Sequence, residues 1–515
     1  MTLEESTVGS ARSVADTAAV SGRDSSDSIA RNSLFAFASQ LAGAVFTAAL
    51  TLYLARALGP DGFGVFALAI AVGALVALPA DFGVSASAGR FIAEKRGDRS
   101  AVARIVSDAL GLKAVASMAA SGALFACAPL IATAYGVAEL AWPLRAVAIA
   151  ILGQSVMMLF AAAFVAQGRV ALNFRIVLSE SAVEFGASVA LVLLGAGATG
   201  AAFGRAIGYL VGASAALILA ARTLGSPALA AWSPSRQGLR RIARYAGALV
   251  VVDVAFSIFQ QIDALLIGAF LAPSAVGLFQ APMRLAIVLH YPGYALASGV
   301  APRLAEHPEE PPKVDAFLRA LRYIVLFQAL LLAPLLVWAE PITSVLLGAE
   351  FEDSANVLRT LAPYIFLAGL APLVSLTANY LGAARRRVPI ALAALAVNIA
   401  LDVVLIPTIG IEGAAIGTDV AFLLYVPAHL WLCRQRLGIQ LRPLLATLLR
   451  SGIAAGGMAC VLLAVGTGNL SLTGWIVGAL GGTALFSFVL LALREVSVAE
   501  ARAVAGAARA ALFGR

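Results

Sequence analysis

One stretch of this chain occurs twice. Residues 58–66 read LGPDGFGVF, and residues 271–279 read LAPSAVGLF, 213 positions later. A second pair keeps the register: Gly197-Ala-Thr-Gly-Ala-Ala-Phe-Gly204 matches Gly410-Ile-Glu-Gly-Ala-Ala-Ile-Gly417. Two landmarks at one offset mean two copies of one structural unit. Any fold proposed for the first half must therefore serve the second.

The medium of that fold follows from composition. Hydrophobic residues make up 61% of the chain and charged residues 12%. A soluble exterior needs far more charge than this. The apolar residues gather in blocks of about 20, the length at which a helix crosses a bilayer. Fourteen spans are expected, beginning near Ser33, Phe63, Ile105, Pro143, Leu172, Gly200, Tyr245, Val276, Phe317, Leu361, Val388, Gly413, Leu444 and Leu472. The Ser-, Ala- and Asp-rich residues 1–28 read as a disordered tail. No cleavable signal is recognisable before the first span, which reads as an uncleaved anchor. Cys127, Cys433 and Cys460 show no CxxC spacing, and His290, His307 and His429 are scattered, so no disulfide framework, metal site or cofactor is expected. No Walker loop is present, which leaves an ion gradient, a substrate gradient or a partner to supply energy.

The net charge of +8 is explained by placement rather than by nucleic acid. One set of alternate loops holds twenty-two Lys and Arg residues, from Arg90, Lys95 and Arg96 through Arg240 and Arg241 to Arg385–Arg387 and Arg442. The opposite set holds Arg56, Arg145 and Arg359. By the positive-inside rule the basic loops and both termini are cytoplasmic, and the span count is even. An offset of 213 covers six spans, so the copies run parallel about an axis along the membrane normal. The expected fold is an all-α polytopic membrane protein of about fourteen transmembrane helices, with two parallel six-helix repeats and two C-terminal helices. The domains are a tail (1–28), a first bundle (29–222), a cytoplasmic linker with Trp232 at the interface (223–243), a second bundle (244–437), helices thirteen and fourteen (438–494) and a cytoplasmic tail (495–515). The acidic loop Glu340–Asp353 faces outward and reads as ordinary loop solvation.

Two parallel copies in a membrane suit a transporter. Gly59-Pro60 and Ala272-Pro273 would make twin outer turns. Ionisable groups deep in spans are costly and mark cavities or partners. In span seven, Asp253, Ser257 and Gln260 share a helix face, with Asp263 three turns beyond Asp253; they line a cavity or only pack the bundle. Glu180 and Glu184 in span five lie one turn apart, as carriers of a proton or sodium ion, unless Glu184 pairs with Arg205. Lys113, on a face with Ser117 and Ser121, and Arg284 are the candidate anion contacts. Lys113 has the alternative of snorkelling to the cytoplasm, and Arg284 of neutralising Asp263. Gly204, Gly208 and Gly212, and Gly474, Gly478 and Gly482, form GxxxG ridges for close packing. Pro282 and Pro292 bracket His290 and Tyr291 and predict a bend in span eight.

Tyr53-Leu-Ala-Arg-Ala-Leu-Gly-Pro-Asp-Gly-Phe-Gly-Val-Phe66 resembles the opening hairpin of the Wzx-type polysaccharide flippases of the MOP exporter superfamily, which also holds the MATE drug exporters and the lipid II flippase MurJ. Gln261–Gly268 with Val276–Phe279, Leu347–Phe351, and Ile411–Gly417 resemble that family's seventh span and turn, its outer loop before span ten, and its turn into span twelve. The resemblance covers Arg31 to Arg442. It implies a translocator of undecaprenyl-diphosphate-linked oligosaccharide that works by alternating access in the bacterial inner membrane. It further implies O-antigen, capsule or exopolysaccharide biosynthesis, beside a polysaccharide polymerase and a chain-length regulator. A cation-coupled multidrug exporter of the MATE kind is the alternative, which helices thirteen and fourteen disfavour. The repeat and the buried charges argue against a scaffold, and no nucleophile–base pair argues for an enzyme.

Overall fold

Inside a bilayer no water meets a backbone N–H, so an apolar run must close its hydrogen bonds within itself as helix. The computed structural model follows that rule. It describes residues 5–224, 235–304, 311–468 and 470–500, with side chains from Arg31 onward apart from stretches that include 243–253. The helices are α1 (Glu5–Asp81), α2 (Val84–Glu94), α3 (Arg99–Ala134), α4 (Ala141–Ala166), α5 (Val170–Leu193), α6 (Gly197–Leu224), α7 (Arg236–Phe270), α8 (Pro273–Ala286) and α9 (Tyr291–Val300). They continue with α10 (Pro311–Val337), α11 (Ala339–Leu347), α12 (Ser354–Thr360), α13 (Ala362–Tyr380), α14 (Ala384–Ile409), α15 (Ile411–Leu437), α16 (Arg442–Val465) and α17 (Leu472–Ala492). Among the described residues there is no strand.

Eleven helices among the described residues are long and apolar enough to cross a membrane. The first of them holds two of the expected spans, because Gly59 breaks α1 with φ 64°. The shorter apolar run Val254–Phe270 and the pair α8–α9 stand at the two remaining places, so the number is compatible with fourteen. Helix α1 begins at Glu5, inside the segment whose composition reads as disordered. Trp232 lies outside the described residues.

The chain forms two compact units. The first comprises residues 1–50, 76–130 and 141–250. Its core gathers Ile92, Val106, Phe160, Phe164 and Ile176 against Ala216 and Ala220. The GxxxG ridge of α6 lies on α5: Gly204 meets Ser188, Gly208 meets Glu184, and Gly212 meets Glu180 and Met157. A side chain at Gly204 or Gly208 would force the two backbones apart, and one at Gly212 would press on the Glu180 and Met157 side chains. Asp108 of α3 accepts the Ser235 backbone N–H at 2.6 Å and so fixes the start of α7.

The second unit comprises residues 51–75, 131–140 and 251–515. It brings the twin turns together. A Cβ on Gly64 would strike the Pro273 carbonyl, and one on Gly277 would strike the Pro60 carbonyl. Gly64 and Gly277 occupy one repeat position, and Pro60 and Pro273 another, so the contact is reciprocal. Arg56 caps the end of α11 through the carbonyls of Val345 and Leu346, and Phe351 lies edge-on to Phe63. The predicted bend in span eight is a 3-10 turn at Ile287–His290 between α8 and α9. A carbonyl at that break is satisfied from outside its own helix, since Gln328 donates to Leu289 O at 3.0 Å.

Helices α16 and α17 dock on α10 at its C-terminal end and near its middle. At the C-terminal end Trp338 donates to Gly466 O at 3.0 Å and meets the Trp475 ring, while Gly478 of the α17 ridge lies against it. Near the middle, Glu495 receives Arg322, Arg450 and Thr447 at 2.8–3.0 Å.

Candidate functional site

The repeated glycine motif does the same work in both units. Gly417 of α15 lies so close to α14 that an added Cβ would meet Asp402 and Asn398, as one on Gly204 would meet Ser188. Around Gly417 the second unit holds a polar cluster sealed from solvent. Thr418 donates to Asp263 Oδ2 at 2.7 Å, and Asn398 Nδ2 reaches Asp263 Oδ1 and both oxygens of Asp402 at 3.3 Å. Asn398, Asp402 and Thr418 are fully buried and Asp263 is 4% exposed. Next to them, Asp419 accepts the Tyr364 backbone N–H at 2.7 Å.

No Lys or Arg forms an ion pair with Asp263 or Asp402 among the described residues. Two unpaired carboxylates in a low-dielectric interior repel one another and lose their hydration. The cluster is tolerable when a proton is shared between the acids or a small cation sits among their oxygens. Asn398 Oδ1 is buried and has no hydrogen-bond partner among the described residues, so it adds a spare oxygen donor to that set. Among the described residues no group of three or more His, Cys, Asp or Glu side chains suits a multivalent metal.

The other expected site residues fall elsewhere. The Asp253 side chain lies outside the described residues. Gln260 is exposed on α7, while Asp263 turns into the bundle, so the polar stripe divides. Lys113 does not snorkel. It is buried, bonds Asp81, and donates to Ser85 at 2.8 Å. Arg284 stands over the rings of Phe63 and Phe66 at 5.8 and 5.5 Å, and Asp263 is met by Thr418 and Asn398 instead. Glu184 pairs with Arg205 at 2.8 Å, the alternative that the sequence offered. Glu180 accepts from Ser181 at 2.9 Å.

Sequence reading missed Asn398, Asp402 and Thr418. Asn398 and Asp402 stand one turn apart in an otherwise apolar span, and that spacing was the available signal.

The sequence model of the family described as polysaccharide biosynthesis protein matches residues 53–356, more than half of the chain. The probable low-salt glycan biosynthesis flippase Agl15 of Haloferax volcanii is 27% identical over 205 residues, which are 38% of this chain and 42% of that relative. The match thus spans less than half of the relative's length. The lipid II flippase MurJ in an inward closed conformation superposes with a TM-score of 0.76 at 13% identity, over 90% of this chain and 99% of MurJ. An inward-facing multidrug resistance MATE family transporter of the MOP superfamily gives 0.62 at 17% identity, over 76% of this chain and 94% of its own. The chain has the MurJ- and MATE-like fold, and it belongs to the polysaccharide biosynthesis protein family.

Proposed function

We propose that the protein is a transporter, not an enzyme, that flips an undecaprenyl-diphosphate-linked oligosaccharide from the cytoplasmic to the outer leaflet of the bacterial inner membrane. The product would serve O-antigen, capsule or exopolysaccharide synthesis, with hand-off to a polymerase and a chain-length regulator. The observation that carries the reading is the family match across residues 53–356, which includes both copies of the repeated turn. The Agl15 relative, itself a probable glycan biosynthesis flippase, supports it. The concentration of Lys and Arg in alternate loops supports cytoplasmic termini.

In this reading the two bundles alternate access to the substrate, and the Asp263–Asp402 cluster takes the driving cation. Arg284 would meet the diphosphate, and Asp253 and Gln260 would meet sugar hydroxyls. Lys113 could join Arg284 only by giving up Asp81. Deletion of the gene tests the function. The expected result is lipid-linked repeat units stalled on the inner leaflet and loss of surface polysaccharide. Unchanged polysaccharide with raised dye sensitivity would favour a drug exporter and overturn the reading.

A further inference from the structure

The first unit contains a buried acidic cluster of its own, seated by the same repeated glycine motif. Glu180 and Glu184 lie on one face of α5, under Gly212 and Gly208 of α6. Both are buried, at 7% and 9% exposure. Across the hairpin Arg205 gives one nitrogen to Glu184 at 2.8 Å and another to the Tyr209 hydroxyl at 2.9 Å. The guanidinium also stacks on the Tyr209 ring. Glu180 receives the Ser181 hydroxyl at 2.9 Å and stands one turn from the Glu184 carboxyl on the same buried helix face.

The charges do not balance. Two carboxyls face one guanidinium, and among the described residues the neighbouring elements bring no second cation. Helix α1 meets α5 through the ring pairs Phe35–Phe174 and Phe46–Phe185, and α4 contributes Met157. Two buried carboxyls one turn apart with a single guanidinium between them are relieved when one of them takes up a proton. Glu184 holds the guanidinium and is best kept ionised, which leaves Glu180 as the acid.

We propose that Glu180 is a proton-binding site of the first unit. One proton passes from water to a Glu180 oxygen and returns to water, with no other bond made or broken. Glu184 and Arg205 are the positioning residues. The ridge at Gly204, Gly208 and Gly212 links the load to packing. An ionised Glu180 is repelled by Glu184 across about one turn, whereas a protonated one can donate a hydrogen bond to it. The inference rests on the transport reading only for its use. The site itself is a property of the folded chain.

The test is therefore made on the purified full-length protein, apart from transport. Infrared difference spectra across a pH titration should show a protonated carboxylic acid band that disappears in Glu180→Gln, separate from any band of the Asp263–Asp402 pair, with helix content unchanged. Glu184→Gln should move the loss of that band to lower pH, at a proton concentration at least tenfold higher, because Glu180 then gains Arg205 undivided. A spectrum from which Glu180→Gln removes no carboxylic acid band, or a Glu180 band that Glu184→Gln leaves unmoved, would overturn the proposal. Loss of the band with glycan export intact would sustain the proton site while removing it from transport.

Discussion

The reciprocal contact of the twin turns can be tested with one methyl group. In Gly277→Ala the new Cβ would lie 2.9 Å from the Pro60 carbonyl carbon, 3.1 Å from its Cα and closer still to its oxygen. Carbon atoms rest about 3.5–4.0 Å apart, and the obstruction is backbone, which cannot rotate away. Overpacking of this kind costs about 1–3 kcal/mol. If the turns part during transport, that cost falls on the joined state alone and shifts the balance towards the parted state by about 5- to 150-fold. Spin labels at Asp61 and Ser274, equivalent positions of the two copies, read the separation. Wild type is expected to give one short distance, and Gly277→Ala a second, longer population. Gly64→Ala should do the same by symmetry. The double variant should cost less than the sum, since the first methyl has already opened the gap that the second needs. Gly122→Ala, which meets nothing within 4 Å, is the control. An unchanged distance and unchanged thermal stability in both single variants would refute the close approach.

Asp263→Asn or Asp402→Asn should abolish the cation dependence of glycan export while the protein still folds, because each removes one of the two acids that demand a counter-charge; retained dependence, measured in proteoliposomes, would exclude the cluster as the coupling site. Lys113→Met should destabilise the first unit by about 3–5 kcal/mol, the cost of stranding one partner of a buried ion pair, and Lys113→Met with Asp81→Asn should recover part of it in thermal unfolding. Glu495 lies beyond the last span: burial opposes its charge, but hydrogen bonds from Thr447, Arg450 and Arg322 outweigh it and hold the carboxyl below its ordinary value. A depressed carboxyl stabilises the folded state above its unfolded value, near 4.3, and loses that stabilisation as pH falls through the folded one. Proteolytic release of the C-terminal hairpin should therefore rise below about pH 4, and Glu495→Gln should flatten that rise, leaving the part carried by Glu500 on the same Arg322.

The sequence reached the fold further than the site, for physical reasons. Apolar length, loop charge and the 213-residue offset are properties of the chain itself, so the spans and the parallel repeat could be read directly. The GxxxG ridge of α6 was also legible, but not what it covers: that Gly208 and Gly212 seat Glu184 and Glu180 depends on how α5 and α6 are rotated against each other. The same limit divided the span-seven stripe. Residues 253, 257 and 260 share a helix face by arithmetic, yet Asp263 finds its partners on α14 and α15, more than a hundred positions away. Lys113 shows the limit again, since only the chain break at Gly83, with φ 72°, delivers Asp81 to it.

The docking of α16 and α17 bears on how motion in this molecule is to be watched. Trp338 holds the hairpin at the C-terminal end of α10, and Glu495 holds it again at Arg322, sixteen positions earlier, so the hairpin has no pivot of its own on that helix. A fluorophore attached just beyond Glu495 therefore acts as a rigid pointer for α10. Anisotropy or energy transfer measured from it would track the turning of a transmembrane helix from the aqueous side, without a label placed among the buried carboxylates.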